Sequence, residues 1–137
     1  FLFEQFLKSK KIINQIKKIF NLYNQKLKSL KDKGYIKTPH VPQYSNHNGH
    51  LFYIEVLKKK REDLIKFMKK KSIMTVFHYI PLHSSKFGKK NVRKKFQMQN
   101  TNNASRRILR LPMHKNIEVN QIRKITKTMS DFFEVRN

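Results

Sequence analysis

The chain has 137 residues, 38% of them apolar, no Cys, and a formal net charge of +24 from 32 basic and 8 acidic side chains. That length favours one compact core, and the missing Cys excludes disulfides and thiolate metal sites. No apolar run approaches the roughly 18–20 residues of a membrane-spanning helix, and Phe1 to Leu7 is too short and lacks the basic leader of a signal peptide, so a cytoplasmic setting is expected.

Residues 3 to 32 read as one long helix. Ile13, Ile16, Phe20, Tyr23, Leu27 and Leu30 recur at helical spacing and fall on one face. The stripe predicts core packing rather than a solitary coiled coil, because no heptad continues past it. Gly34 follows the last Lys-rich turn and suits the position just past a helix end. The first residue is Phe and stands inside a helical pattern, so truncation or processing is expected.

Pro39, Pro42, Asn46, Asn48 and Gly49 predict extended or turn structure over residues 35 to 49. Leu51 to Leu57 alternates, with Phe52, Ile54 and Val56 on one side, and reads as a strand. Arg61 to Lys71 is expected to be a short helix with Leu64, Phe67 and Met68 inward. Ile73 to Tyr79 reads as a second strand that Pro81 ends. Residues 84 to 100 are polar and Lys-rich, which predicts a mobile surface loop. Thr101 or Asn102 is expected to cap a short helix through Leu109, before an extended Leu109-Arg110-Leu111-Pro112. Asn116 is expected to cap a last helix with Ile122, Ile125, Met129 and Phe132 or Phe133 on its inner face. Residues 1–34 are thus set apart as a linking helix and residues 35–137 as a small domain.

Six His are the conspicuous polar residues. His47 and His50 lie three apart and His78 and His83 five apart, but no acidic residue sits beside either pair, so no metal site is expected. Ser84, Ser85 and Ser105 lack the setting of a hydrolytic nucleophile. The three scattered glycines form no phosphate loop. The block His78-Tyr79-Ile80-Pro81-Leu82-His83 is different. Pro81 stiffens a turn just beyond a strand, and the turn carries two imidazoles and a phenol that can donate to phosphate, carboxylate or sugar hydroxyls. On spacing alone, a structural turn with solvent-facing His remains open.

Three segments carry a resemblance. Asn48 to Ile54, then Ile73 to Ser85, then Arg107-Ile108-Leu109-Arg110-Leu111-Pro112-Met113, resemble in order and spacing the DegT/DnrJ/EryC family of sugar aminotransferases, and within it the dTDP-4-amino-4,6-dideoxygalactose transaminase type. The likeness runs from about Gln5 to Phe133, with the long helix before the motifs. It implies an α+β fold: the small carboxyl-terminal domain of a fold-type-I aminotransferase, a small sheet covered by helices. It also implies pyridoxal 5'-phosphate chemistry, amino transfer from glutamate to the keto group of a nucleotide-linked sugar, and a homodimer. Carried over, His78, Tyr79 and His83 line the substrate side, Arg107 and Arg110 are weaker candidates, and His50 and Tyr53 support the sheet.

Two departures accompany it. The family's cofactor domain, with its Schiff-base Lys, has no counterpart here. Lys58 to Lys60, Lys69 to Lys71 and Lys94-Lys95 read as solvated surface. No catalytic residue is therefore expected in this chain, and no bound cofactor. Second, Ser72 stands where the family usually has Gly; a positive φ there would strain it.

The charge offers an alternative class, a basic nucleic-acid-binding module. Of the 32 basic residues, however, 25 are Lys and seven Arg, and Ala occurs once. A codon bias toward A and T accounts for that pattern without any polyanion. Weak, non-specific polyanion binding follows in either case.

Overall fold

The computed structural model describes residues 2–91 and 97–134. The stripe from Ile13 to Leu30 is helical, but in three pieces: α1 (Leu2–Leu7), α2 (Ser9–Lys26) and α3 (Lys28–Asp32). The single helix expected over residues 3 to 32 is thus interrupted at Lys8 and Leu27. The physical reason differs at the two breaks. No residue of α1 is buried, and Leu2, Phe3, Phe6 and Leu7 are all exposed, so no packing holds that turn in line. At Leu27 the hydrogen bonds to Tyr23 O and from Lys31 continue, and the local bend carries both Leu27 and Leu30 into the core. Gly34, at φ +69, closes α3: its N–H donates to Lys31 O and that of Tyr35 to Leu30 O.

Four short strands follow: β1 (Ile36–Lys37), β2 (Phe52–Val56), β3 (Val76–Phe77) and β4 (Ile108–Leu111). They form one antiparallel sheet in the order β1-β2-β4-β3. The last strand in sequence therefore lies between β2 and β3. Alternation along β2 and β4 is clean. Phe52, Ile54 and Val56, with Leu109 and Leu111, are buried on one face; Tyr53, Glu55, Ile108 and Arg110 are half-buried on the other. The register sets Tyr53 opposite Arg110 and Glu55 opposite Ile108.

Helix α4 (Arg61–Lys70) buries Leu64 and Met68, while Phe67 is half-buried against Phe132. Helix α7 (Val119–Glu134) buries Ile122, Ile125, Met129 and Phe133. It starts after Glu118 rather than after Asn116. The Glu118 N–H donates to Gln121 Oε1 at 2.9 Å, a cap that the position of Asn116 cannot supply. Residues from α2, α3, all the strands but β3, α4 and α7 make one hydrophobic core. Burying each large side chain contributes about 1.5–3 kcal/mol.

Three other expectations are corrected. The strand foreseen over Ile73 to Tyr79 is reduced to Val76–Phe77, because the Ile73 N–H is used to close α4 on Met68 O. The expected loop over 84 to 100 starts at the end of a 3-10 turn (Leu82–Ser84) and contains helix α5 (Lys86–Asn91); residues 92–96 lie outside the described residues. Helix α6 (Gln99–Arg107) begins before Thr101 and ends before Leu109, since pairing of β4 with β2 takes Ile108 and Leu109 into the sheet.

Tyr23 joins these layers. Its ring, fully buried, stacks on Phe52 at 5.0 Å, and its hydroxyl donates to Pro112 O at 2.7 Å. Burial pushes the phenol well above its ordinary pKa. The folded state thus keeps a proton that the unfolded chain releases from about pH 10, and this stability is lost as pH rises through that range. Tyr23→Phe should cost about 1 kcal/mol at neutral pH and flatten the alkaline loss, both read from urea midpoints across pH. Ser72 closes α4 at φ +58, a left-handed conformation costly for a side-chain-bearing residue. Ser72→Gly should raise the urea midpoint by the equivalent of about 1 kcal/mol without changing the slope.

Candidate functional site

The segment after β3 carries the sequence-predicted residues. Pro81 O accepts from the N–H groups of Ser84 and Ser85 and from Ser84 Oγ at 3.0–3.1 Å, closing the turn. Ser85 Oγ donates to Leu82 O at 2.8 Å and accepts from the Gly88 N–H at 2.9 Å, which docks α5 onto it. Gly88 is required here, for a Cβ would stand 1.8 Å from Leu82 O.

His78 and Tyr79 come together, with ring centroids 4.5 Å apart in an edge arrangement. Both line a groove with Ile80, Pro81, Ala104 and Ile108, between the turn and α6. His78 is half-buried and its Nδ1 is shut off from solvent without a hydrogen-bond partner. Tyr79 is 67% exposed, so its phenol is available to a ligand or a neighbouring surface. His83 is turned aside. Its Nε2 lies 3.0 Å from Asn102 Oδ1, which ties the turn to α6, and it does not line the groove.

Of the two arginines, Arg110 approaches the turn. Its guanidinium lies over the Tyr79 ring at 5.6 Å, a cation–π contact. Arg107 is exposed at the end of α6. Tyr53 faces Arg110 across the β2–β4 ladder. His50 is exposed, its N–H taken up by Asn48 Oδ1.

Arg61 escaped the sequence reading. From the first position of α4 its guanidinium donates to Ser105 O and, at 3.3 Å, to Ile108 O; it pairs with Glu62 at 2.6 Å and lies 5.7 Å over the Phe77 ring. It therefore clamps α4, β3 and the α6–β4 junction behind the turn. Partial burial opposes the Glu62 charge, but bonds to its own backbone and to Arg61, with the Arg61 and Lys60 charges, outweigh it and hold the carboxyl below its ordinary pKa. The only sequence signal was an Arg at a helix start, a place that usually favours acids.

Among the described residues no three His, Asp or Glu side chains converge as metal ligands, and no helix is long and apolar enough to cross a membrane. The lysines do not fit a pyridoxal phosphate site. No lysine among the described residues is buried, and the half-buried Lys17 and Lys59 donate to Asn46 Oδ1 and Phe132 O. A Schiff-base lysine needs a desolvated pocket beside the cofactor.

Solved structures share this architecture. DesV of S. venezuelae, in complex with a ketimine intermediate, aligns at TM-score 0.86 and 18% identity over 99% of this chain and 36% of that one. PseC of Helicobacter pylori, an aminotransferase involved in the biosynthesis of pseudoaminic acid, aligns at 0.86 and 17% over 98% and 36%. NtdA from Bacillus subtilis, with bound cofactor PMP, aligns at 0.76 and 21% over 88% and 28%. The chain thus spans about a third of the length of these solved chains.

Arg61→Ala should lower global stability by about 1.5–3 kcal/mol, measured by urea denaturation, and should raise hydrogen exchange at Ser84 and Ser85 more than at Leu111. The pattern of residues 1–130 matches the DegT/DnrJ/EryC1/StrS aminotransferase family, and the chain belongs to that family.

Proposed function

We propose that the chain is the carboxyl-terminal, substrate-facing part of a pyridoxal-phosphate-dependent sugar aminotransferase. The complete enzyme moves an amino group from glutamate to the keto group of a 4-keto-6-deoxy sugar nucleotide, of the dTDP-4-amino-4,6-dideoxygalactose transaminase type, and works as a homodimer. One observation carries this: the His78–Tyr79 turn is anchored at its base yet presents exposed aromatic and apolar side chains on a domain that spans about a third of its structural relatives. A turn built that firmly, with Ile80 and Leu82 also exposed, fits a wall of a pocket completed by another part of the enzyme.

On this proposal the side chains divide the work. The Tyr79 phenol and the His78 imidazole donate to sugar hydroxyls or phosphate oxygens. Arg110 holds the Tyr79 ring from behind, and His83 positions the turn through Asn102. Arg107 adds positive potential on the route of an anionic nucleotide. Helices α1–α3, within residues 1–34, link the domain of residues 35–137 to the cofactor-bearing part. That part supplies the lysine and the pyridoxal phosphate, which provides the electron sink for amino transfer when bound.

The net charge of +24, against three ion pairs among the described residues, favours a second reading as a basic nucleic-acid-binding module. Affinity of that kind collapses with salt, and no recognition motif accompanies it.

Absorbance and turnover test the first reading. The purified chain should retain no pyridoxal band after dialysis and transfer no amino group. Supplied with the lysine-bearing part of a family member, it should gain turnover, and Tyr79→Ala should then lower kcat/KM by about tenfold or more, the loss of one charge-assisted hydrogen bond. Turnover by the chain alone, or tight sequence-selective DNA binding at about 0.15 M salt, would overturn it.

A further inference from the structure

A second cavity lies away from the His78–Tyr79 groove and shares no lining residue with it. It sits between the β3 edge, the connection from β4 to α7, and the first turns of α7. Ile73, Leu111, Ile117 and Ile125 form an apolar floor. Its volume is about 450 Å³, within the range of small-molecule sites, about 300–1,000 Å³.

The two charged side chains at this cavity, Arg110 and Lys124, are both cationic. Arg110 reaches it from β4, Lys124 from α7 and His114 from the connection, and no Asp or Glu is among the lining residues. Arg110 is half-buried, and among the described residues no carboxylate lies within 4.0 Å of it. Its Nε is closed off from solvent and has no hydrogen-bond acceptor. A partly desolvated charge without a counter-charge is costly. Stacking on Tyr79 offsets part of that cost. Lys124 is exposed on the first turns of α7, with no acceptor or carboxylate partner among the described residues.

From the convergence of Arg110 and Lys124 on this apolar cavity, we infer a binding site for a small amphipathic organic anion, a phosphate or carboxylate on a ring or short apolar chain. The anionic head sits between the guanidinium and the ammonium, and the apolar body lies on Ile73, Ile117 and Ile125. The site stands independently of the proposed aminotransferase activity, since none of its argument uses the His78–Tyr79 turn as a substrate wall.

A titration of the 137-residue chain at about 0.15 M salt tests this, followed by amide NMR. Phenyl phosphate and benzoate serve as anionic probes, benzyl alcohol as the neutral one and benzylamine as the cation. The expected result is saturable shifts confined to Ile117, Gln121, Lys124 and the Arg110 side chain, with at least one of the two anions and neither of the other probes. Lys124→Gln, at an exposed position where folding is safe, should weaken the anion about tenfold. Lys18→Gln, the same charge change on exposed α2, should leave affinity unchanged. Three results would each overturn the site: no saturable shift with either anion; equal weakening by both variants, which marks diffuse attraction to a basic surface; or benzyl alcohol binding as tightly as the anions, which marks a plain apolar groove.

Discussion

The seating of Tyr23 between helix and sheet governs the geometry of everything after it. The ring stacks on Phe52 of β2, and the hydroxyl holds the carbonyl of Pro112, the residue that follows β4. One side chain therefore ties α2 to the centre of the sheet and to the segment leading into α7. A fully buried phenol without that carbonyl would carry the penalty of an unpaired polar group. With it, rotation of α2 is limited, and Phe20 and Leu27 fall into the same core as Phe52 and Leu109.

The sheet order extends this constraint to the site. Because β4 inserts between β2 and β3, the segment bearing His78 and Tyr79 has no sheet to lie on until residues 108–111 have paired. Arg61 reinforces the late junction by donating to Ser105 and Ile108 while covering Phe77. The result is a firm base below an edge strand that is open to solvent on its outer side. Val76, Phe77, Tyr79, Ile80 and Leu82 are all exposed there. Isolated domains rarely leave a sheet edge bordered by so much apolar surface. The proposed place in a larger aminotransferase would give that surface a neighbour; the chain itself spans about a third of the solved chains it matches.

Charge shapes how such a neighbour would be met. Few carboxylates are present, and the ion pairs of Lys28 with Asp32, Lys33 with Glu134 and Arg61 with Glu62 neutralise little of the excess. Two copies of so basic a surface repel at low salt, so an apolar or acidic face makes the better complement. The lysines of α2, α3 and α4, exposed except for Lys17, follow composition; Arg110, half-buried and without a carboxylate among the described residues, does not.

Periodicity alone carried much of the fold. The helical faces of α2, α4 and α7, the alternation of β2 and the Gly34 helix stop follow from local rules that each residue obeys with its near neighbours. The Ser72 departure was legible only through the family resemblance, which places Gly there; the helix end at φ +58 gives the physical reason. The three motif segments carried the family. Tertiary pairing decided the rest. The closing bond of α4 from Ile73 shortens the second strand to two residues, and the arrival of β4 between β2 and β3 ends α6 at Arg107 and brings Arg110 over Tyr79. Only α6, by offering Asn102, turns His83 from the groove, and only the distant carbonyls of Ser105 and Ile108 make Arg61 a clamp. Those contacts join residues 19 to 47 positions apart, and no local spacing encodes a partner that the chain reaches only by folding.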